Sequence, residues 1–255
     1  MVELKSPREI AIMREAGKRA AQTLRAVSDM IRPGITTADI DTFVREDTKR
    51  LGCIPAPLGY RGRDNSLPPY PASCCTSVND VVCHGIPGPL VLCDGDIINV
   101  DVTHIWEGYH GDTSAMFYVG CPSARAVRVV EIARNALNAG IAEVKPGARL
   151  GDIGAAIHEY AESRGCSIVR EFVGHGLGRK FHDEPVVQHF GARGKGIRLK
   201  AGMCFTIEPM VNLGSPGVYV DQDGWTVRTD DGKLSAQFEH SIVVTDDGCE
   251  VLTVC

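Results

Sequence analysis

Leu92-Cys-Asp-Gly-Asp-Ile-Ile-Asn-Val-Asp101 and Leu199-Lys-Ala-Gly-Met-Cys-Phe-Thr-Ile-Glu208 read as one strand written twice. Leucine, glycine, an apolar run and a terminal acid fall in the same register in both. A carboxylate at the end of an apolar strand is costly to bury unless it is paired or meets a cation. One such acid in each half of a repeated chain points to a cation site where the halves join.

The repeat extends outward from these strands. Arg32-Pro33-Gly34 recurs as Lys145-Pro146-Gly147, 113 positions on (145 − 32). At the same offset Asp39-Ile40 becomes Asp152-Ile153, Gly52-Cys53 becomes Gly165-Cys166, and Ala20/Leu24/Ile31 become Ala133/Leu137/Val144. Amphipathic helices are expected over 6–31 and 123–143, each leading into a basic-Pro-Gly turn. Shorter helices over 38–51 and 151–164 follow and stop at glycine. Strand patterns cover 97–105, 109–119, 203–211, 225–229 and 236–244. Helix, helix and strands given twice, with antiparallel hairpins, predict an α+β fold with helices on one sheet face and pseudo-two-fold symmetry. The chain is expected to be a single domain over 1–255, made of related halves at about 6–120 and 121–255.

Composition narrows the class. With 44% hydrophobic residues in 255, the chain can bury a sizeable core. A net charge of −5 and no basic stripe argue against nucleic acid as a partner. No run approaches the roughly 18–20 apolar residues of a membrane span. Ser6-Pro7-Arg8-Glu9 reads as a helix start with a capping box, and charge throughout the following residues argues against a signal peptide. Ten cysteines, none in a Cys-x-x-Cys pair, read as free thiols in a reducing compartment, so the expected location is the cytoplasm.

Chemistry concentrates on four acids. In the strand from Ile97, alternation puts Asn99, Asp101 and Thr103 on one face and Ile98, Val100 and Val102 on the other. A hairpin turning near Trp106-Glu107-Gly108 is expected to set Asp101 opposite Asp112, and two like charges there repel unless a cation lies between them. The second half offers Glu208 and, in Ala236-Gln-Phe-Glu239-His-Ser-Ile-Val-Val, Glu239. Four converging acids call for about two divalent cations. With one imidazole, such an oxygen-rich set suits Mn, Fe, Co or Zn rather than a thiolate-bound structural zinc. His175 stands between glycines in Gly174-His175-Gly176, His182 follows in Phe181-His182-Asp183, and His84 sits in Cys83-His84-Gly85. His104, His158, His189 and His240 read as ordinary surface or core residues, and His110 is open to either reading.

Asn99-Val-Asp-Val-Thr, Gly108-Tyr-His-Gly-Asp-Thr, Gly174-His-Gly, Phe205-Thr-Ile-Glu-Pro-Met and Gln237-Phe-Glu-His, in that order, resemble the type I methionine aminopeptidases. The resemblance runs from about Ser6 to Val251 and implies the duplicated pita-bread fold. It also implies that Asp101, Asp112, His175, Glu208 and Glu239 bind two metal ions, with Asp112 and Glu239 bridging. A water held between them would attack the first peptide carbonyl, Glu208 taking its proton. His182 would stabilise the oxyanion, and His84 would contact the scissile nitrogen. Tyr70, Cys75, Phe181 and Trp225 match the methionine pocket.

Arg61 to Pro69 departs from the family pattern as an insertion, which leaves Tyr60's place in the pocket open and is expected to form a rim over it. The implied substrates are N-termini of nascent polypeptides with a small second residue. A transient contact with the ribosome and a monomeric state are also implied. Two other readings share the fold: an Xaa-Pro aminopeptidase or prolidase, usually with an added N-terminal domain, and a binding protein that has lost its metals.

Overall fold

The computed structural model describes residues 2–254. Four helices carry the apolar periodicity: α1 (Pro7–Val27), α2 (Thr37–Arg50), α3 (Ala124–Ala142) and α4 (Leu150–Glu162). The helix starts are chemical. The Ser6 backbone N–H and hydroxyl both donate to Glu9, and Thr36 does the same with Asp39, so two boxes satisfy otherwise unpaired amides. The first helix ends at Val27 rather than Ile31. Ser28 caps it, its amide donating to Arg25 and its hydroxyl to the same carbonyl, and the chain turns towards Pro33.

One antiparallel sheet holds the molecule together. Its main path runs through Ile97–Trp106, Tyr109–Tyr118, Glu239–Val244, Cys204–Ile207, Gly174–Gly176 and Asp183–Val187. The first two strands belong to the first half of the sequence and the rest to the second. The halves therefore meet along the seam where Ser114 pairs with Glu239 and Thr113 with His240. Ile98, Val100 and Val102 are fully buried against Ala20, Leu24, Ile40 and Val44 of α1 and α2. Across the seam, Phe205, Ile207 and Ile242 pack with Val129, Ala133, Ile153 and Ile157 of α3 and α4. Both helix pairs cover apolar sheet positions, which leaves the polar positions of the same strands to line a cavity.

The expected strands differ from the observed ones in three instructive ways. The hairpin turns on two residues, Glu107 and Gly108, both at positive φ (48° and 78°), so Trp106 pairs with Tyr109. That geometry pairs Thr103 with Asp112 and Asp101 with Ser114, so Asp101 does not stand opposite Asp112. The shift is two residues. It preserves the face, and the two acids remain diagonal neighbours. The run 203–211 breaks into Cys204–Ile207 and Met210–Asn212 at Glu208-Pro209, where proline has no N–H to extend the ladder. The run 236–244 likewise divides, Ser235–Gln237 pairing in one sheet and Glu239–Val244 in another. Each break falls beside a candidate metal ligand.

Helix α1 lies close on strand Tyr109–Tyr118 because glycines face each other there. A Cβ on Gly111 would fall inside contact distance of the Ala16 and Gly17 backbone, which cannot yield. Gly111→Ala is expected to destabilise the fold by about 1–3 kcal/mol. For a chain of this size that lowers the thermal midpoint by roughly 2–12 °C. A midpoint unchanged within a degree would show that α1 is not so closely seated.

Candidate metal centre

The sheet order brings the acids together. Asp101, Asp112, Glu239, the Glu208 that follows Ile207, and His175 sit on successive strands of the main path. All five line one cavity of about 320 Å³. Ligand atoms of Asp112, His175 and Glu239 lie within 4.8 Å of one another. His175 Nε2 is 3.6 Å from Asp112 Oδ2 and 3.6 Å from Glu208 Oε1. Gly176 permits His175 this position, since a Cβ there would collide with the Glu184 carbonyl.

Burial dominates the electrostatics. It raises the carboxyls of Asp101, Asp112, Glu208 and Glu239, and repulsion among them raises Asp101, Glu208 and Glu239 further. Burial also lowers His175 and His84 to about 4 and lowers His182 strongly, so the imidazoles stay neutral near pH 7. Neutral imidazole is the form that ligates metal. Asp101 Oδ1 is buried without a hydrogen-bond partner. An orphaned oxygen beside three other buried carboxyl groups and a neutral histidine fits a divalent cation.

Two threonines fix the donors. Thr103 Oγ donates to Asp112 Oδ1 (2.6 Å), and Thr206 Oγ donates to Glu208 Oε1 (2.6 Å) while accepting the His175 N–H (2.9 Å). His189 is a buried core residue, yet its Nε2 accepts the Glu208 N–H at 3.0 Å, so it braces the loop carrying that acid. In the sequence Thr206 stands within a motif without a role of its own, and His189 reads as an ordinary surface or core residue. The signal for Thr206 was present, because a residue two before Glu208 shares its strand face. Thr206→Val preserves shape and strand propensity, and is expected to weaken metal affinity about 10–100-fold with the fold intact. Competition with a chelator measures it, and unchanged affinity would leave the hydroxyl without a role.

The rest of the cavity is aromatic. Tyr70 is buried, its hydroxyl donating to Gly85 O (2.9 Å), and its ring meets Trp225 edge-on at 5.3 Å. Cys75, Phe181, His84 and His182 also line the cavity. Tyr60 stands inside it as well, stacked on His182 at 5.0 Å and lying 5.0 Å from Phe181. Gly62, Arg63 and Leu67 bring the 61–69 segment to its edge. His110, open to either reading in the sequence, stacks flat on Phe181 at 5.5 Å, and its Nδ1 donates to Gly178 O, so it supports the cavity wall. His104, His158 and His240 bond elsewhere, to Thr48, Glu162 and Thr253.

A curled antiparallel sheet with paired helices behind it and buried acids in front is the architecture of the pita-bread metallopeptidases. The chain belongs to metallopeptidase family M24, whose model matches residues 11–246. Within that family it stands with the methionine aminopeptidases. Methionine aminopeptidase A of Synechocystis sp. is 52% identical over 254 residues, 99% of this chain and 98% of that one. The crystal structure of methionine aminopeptidase from Rickettsia prowazekii superposes with a TM-score of 0.96 at 46% identity, covering 100% of both chains. The prolidase from Pyrococcus furiosus shares the fold at 20% identity and a TM-score of 0.78, this chain spanning 65% of it.

Proposed function

We propose that the chain is a single catalytic domain that removes the initiator methionine from new polypeptides whose second residue is small. The observation that carries this reading is full-length likeness to methionine aminopeptidases in a chain whose five donors converge on one cavity. Asp101, Asp112, His175, Glu208 and Glu239 would hold two divalent cations, of Co, Mn, Fe or Zn. Bound there, the cations supply Lewis acidity towards water and the peptide carbonyl.

The chain's own groups do the rest. Glu208, its carboxyl raised by burial, accepts the proton of the attacking water. His182 is neutral, its buried Nδ1 has no partner in the protein, and it donates to the oxyanion as the carbonyl is attacked. His84 contacts the nitrogen of the breaking amide. The substrate's free amine lies beside Asp101, which restricts cleavage to the first bond. Tyr70, Cys75, Phe181 and Trp225 receive the methionine side chain, whose thioether suits aromatic edges and a thiol.

The substrates are nascent N-termini in the cytoplasm, met by a monomer in transient contact with the ribosome. Among the described residues no helix is long and apolar enough to cross a membrane.

Release of the first residue from Met-Ala-Ser and Ala-Pro-Ala by metal-stripped protein, with and without added Mn²⁺ or Co²⁺, tests this reading. Metal-dependent cleavage of the methionine peptide alone is expected. Cleavage of the proline peptide alone would overturn the pocket assignment, and cleavage of neither despite bound metal would favour a binding protein.

A further inference from the structure

Residues 61–69 are held in place rather than draped over the cavity. The Tyr70 N–H donates to Tyr60 O (2.8 Å), the Leu67 N–H to Arg61 O (3.1 Å) and the Trp225 indole N–H to Pro68 O (3.0 Å). Leu67 thereby packs with Tyr70, Cys75 and Trp225 at the enclosed end of the cavity. Gly62 and Asn65, at φ 81° and 59°, bend the segment so that Arg63 lies at its mouth.

Arg63 is the one permanent cation among the described residues lining the cavity. Arg61, two residues earlier, is exposed and outside the lining. The ion-pair partner of Arg63 is Glu184 at 4.0 Å, with the two side chains 46% and 52% exposed. A pair that long and that open holds its charges weakly. The guanidinium fork is therefore free to take a second planar anion, for which its geometry is suited.

We propose that Arg63 is a specificity residue that binds a carboxylate borne by the peptide beyond the cut bond. The inference rests on the aminopeptidase reading above. With the methionine side chain at the enclosed end, the remaining peptide must leave through the mouth, past Arg63. A small second residue cannot carry the acid. The carboxylate is then an Asp or Glu side chain from the third residue on, or the C-terminal carboxylate of a short peptide.

The test compares kcat/KM for Met-Ala-Glu-Ser and Met-Ala-Gln-Ser, both C-terminally amidated, and for Met-Ala-Ser as free acid and as amide. All are assayed with metal-loaded enzyme. In at least one pair the carboxylate form is favoured by about fivefold, the scale of one half-exposed ion pair. The pair that shows it identifies the source as side chain or terminus. The preference falls towards one in Arg63→Gln, reverses in Arg63→Glu, rises in Glu184→Gln and fades as NaCl is raised from about 0.05 to 0.5 M. Cleavage of every peptide with no carboxylate preference, or a preference untouched by Arg63→Gln, overturns the assignment and leaves the aminopeptidase reading standing. Failure to cleave any methionyl peptide overturns both.

Discussion

Asp112→Asn is expected to lower kcat/KM for a methionyl peptide by more than about 100-fold, because even partners behind a metal ligand are worth about 10–100-fold. Asp112 is 3% exposed at the centre of the donor set, and its strand lies next to the strands of Asp101 and Glu239. Asparagine retains an acceptor for the Thr103 hydroxyl, so the local hydrogen bond survives. Only the charge is lost. The same substitution is expected to raise the thermal midpoint of metal-stripped protein at pH 8, because it relieves repulsion among buried carboxylates. Lost activity with a more stable metal-free fold separates a ligand from a structural acid. A variant that loses both would place Asp112 in the framework of the fold instead.

The second large effect is on stability against pH. The carboxyls of Asp101, Asp112, Glu208 and Glu239 all have folded-state values above their unfolded ones, chiefly through burial. Their protonated forms therefore stabilise the fold. That stabilisation is complete below the ordinary carboxylate range near 4 and is lost as pH climbs through the raised folded values. Metal-stripped protein should thus lose stability between about pH 4 and pH 8 relative to metal-loaded protein, in which the cations favour the ionised acids.

Other groups act in the opposite sense. Glu9, held down to about 2 by the Ser6 backbone N–H, contributes stability that disappears only as pH falls. Such groups are common to both forms and cancel in the comparison. At metal concentrations about 100 times the dissociation constant the loaded form gains about 2.7 kcal/mol, or roughly 5–10 °C for a chain of this length. Calorimetric scans of both forms across the pH range measure the gap. It should widen as pH rises, and a gap independent of pH would mean that the acids are not the groups neutralised by metal.

Much of this architecture was readable because two periodicities coincided. Alternation in Ile97–Ile105 separates Val100 and Val102, buried under α1 and α2, from Asp101 and Thr103 on the cavity side. The repeated strand, Leu92–Asp101 and Leu199–Glu208, set Glu208 beside Asp101, and the 113-residue offset of the flanking helices marked the two halves that also supply Asp112 and Glu239. Register was harder. Cross-strand pairing depends on turn length, and the choice of Glu107-Gly108 as a two-residue turn moved Asp112 from Asp101 to Thr103. Local alternation also carries no information about where a strand changes sheet, so the breaks at Pro209 and Phe238 were not anticipated.

Contacts between distant segments were least readable of all. Trp225 reaches Pro68 O, His189 reaches the Glu208 amide, and Arg63 reaches the cavity mouth across separations that no window spans. Tyr60 is similar: the insertion beside it obscured its position, and tertiary packing against His182 and Phe181 decides it.

The most direct measurement is a calorimetric titration of metal-stripped protein with Mn²⁺, run beside an assay of methionine release from Met-Ala-Ser. The expected result is binding that saturates at two ions per chain, with activity absent before metal is added and restored as the sites fill. Asp101→Asn should bind fewer ions. Full activity in the stripped protein, or unchanged metal content in Asp101→Asn, would contradict the assignment of these buried acids as the catalytic metal site.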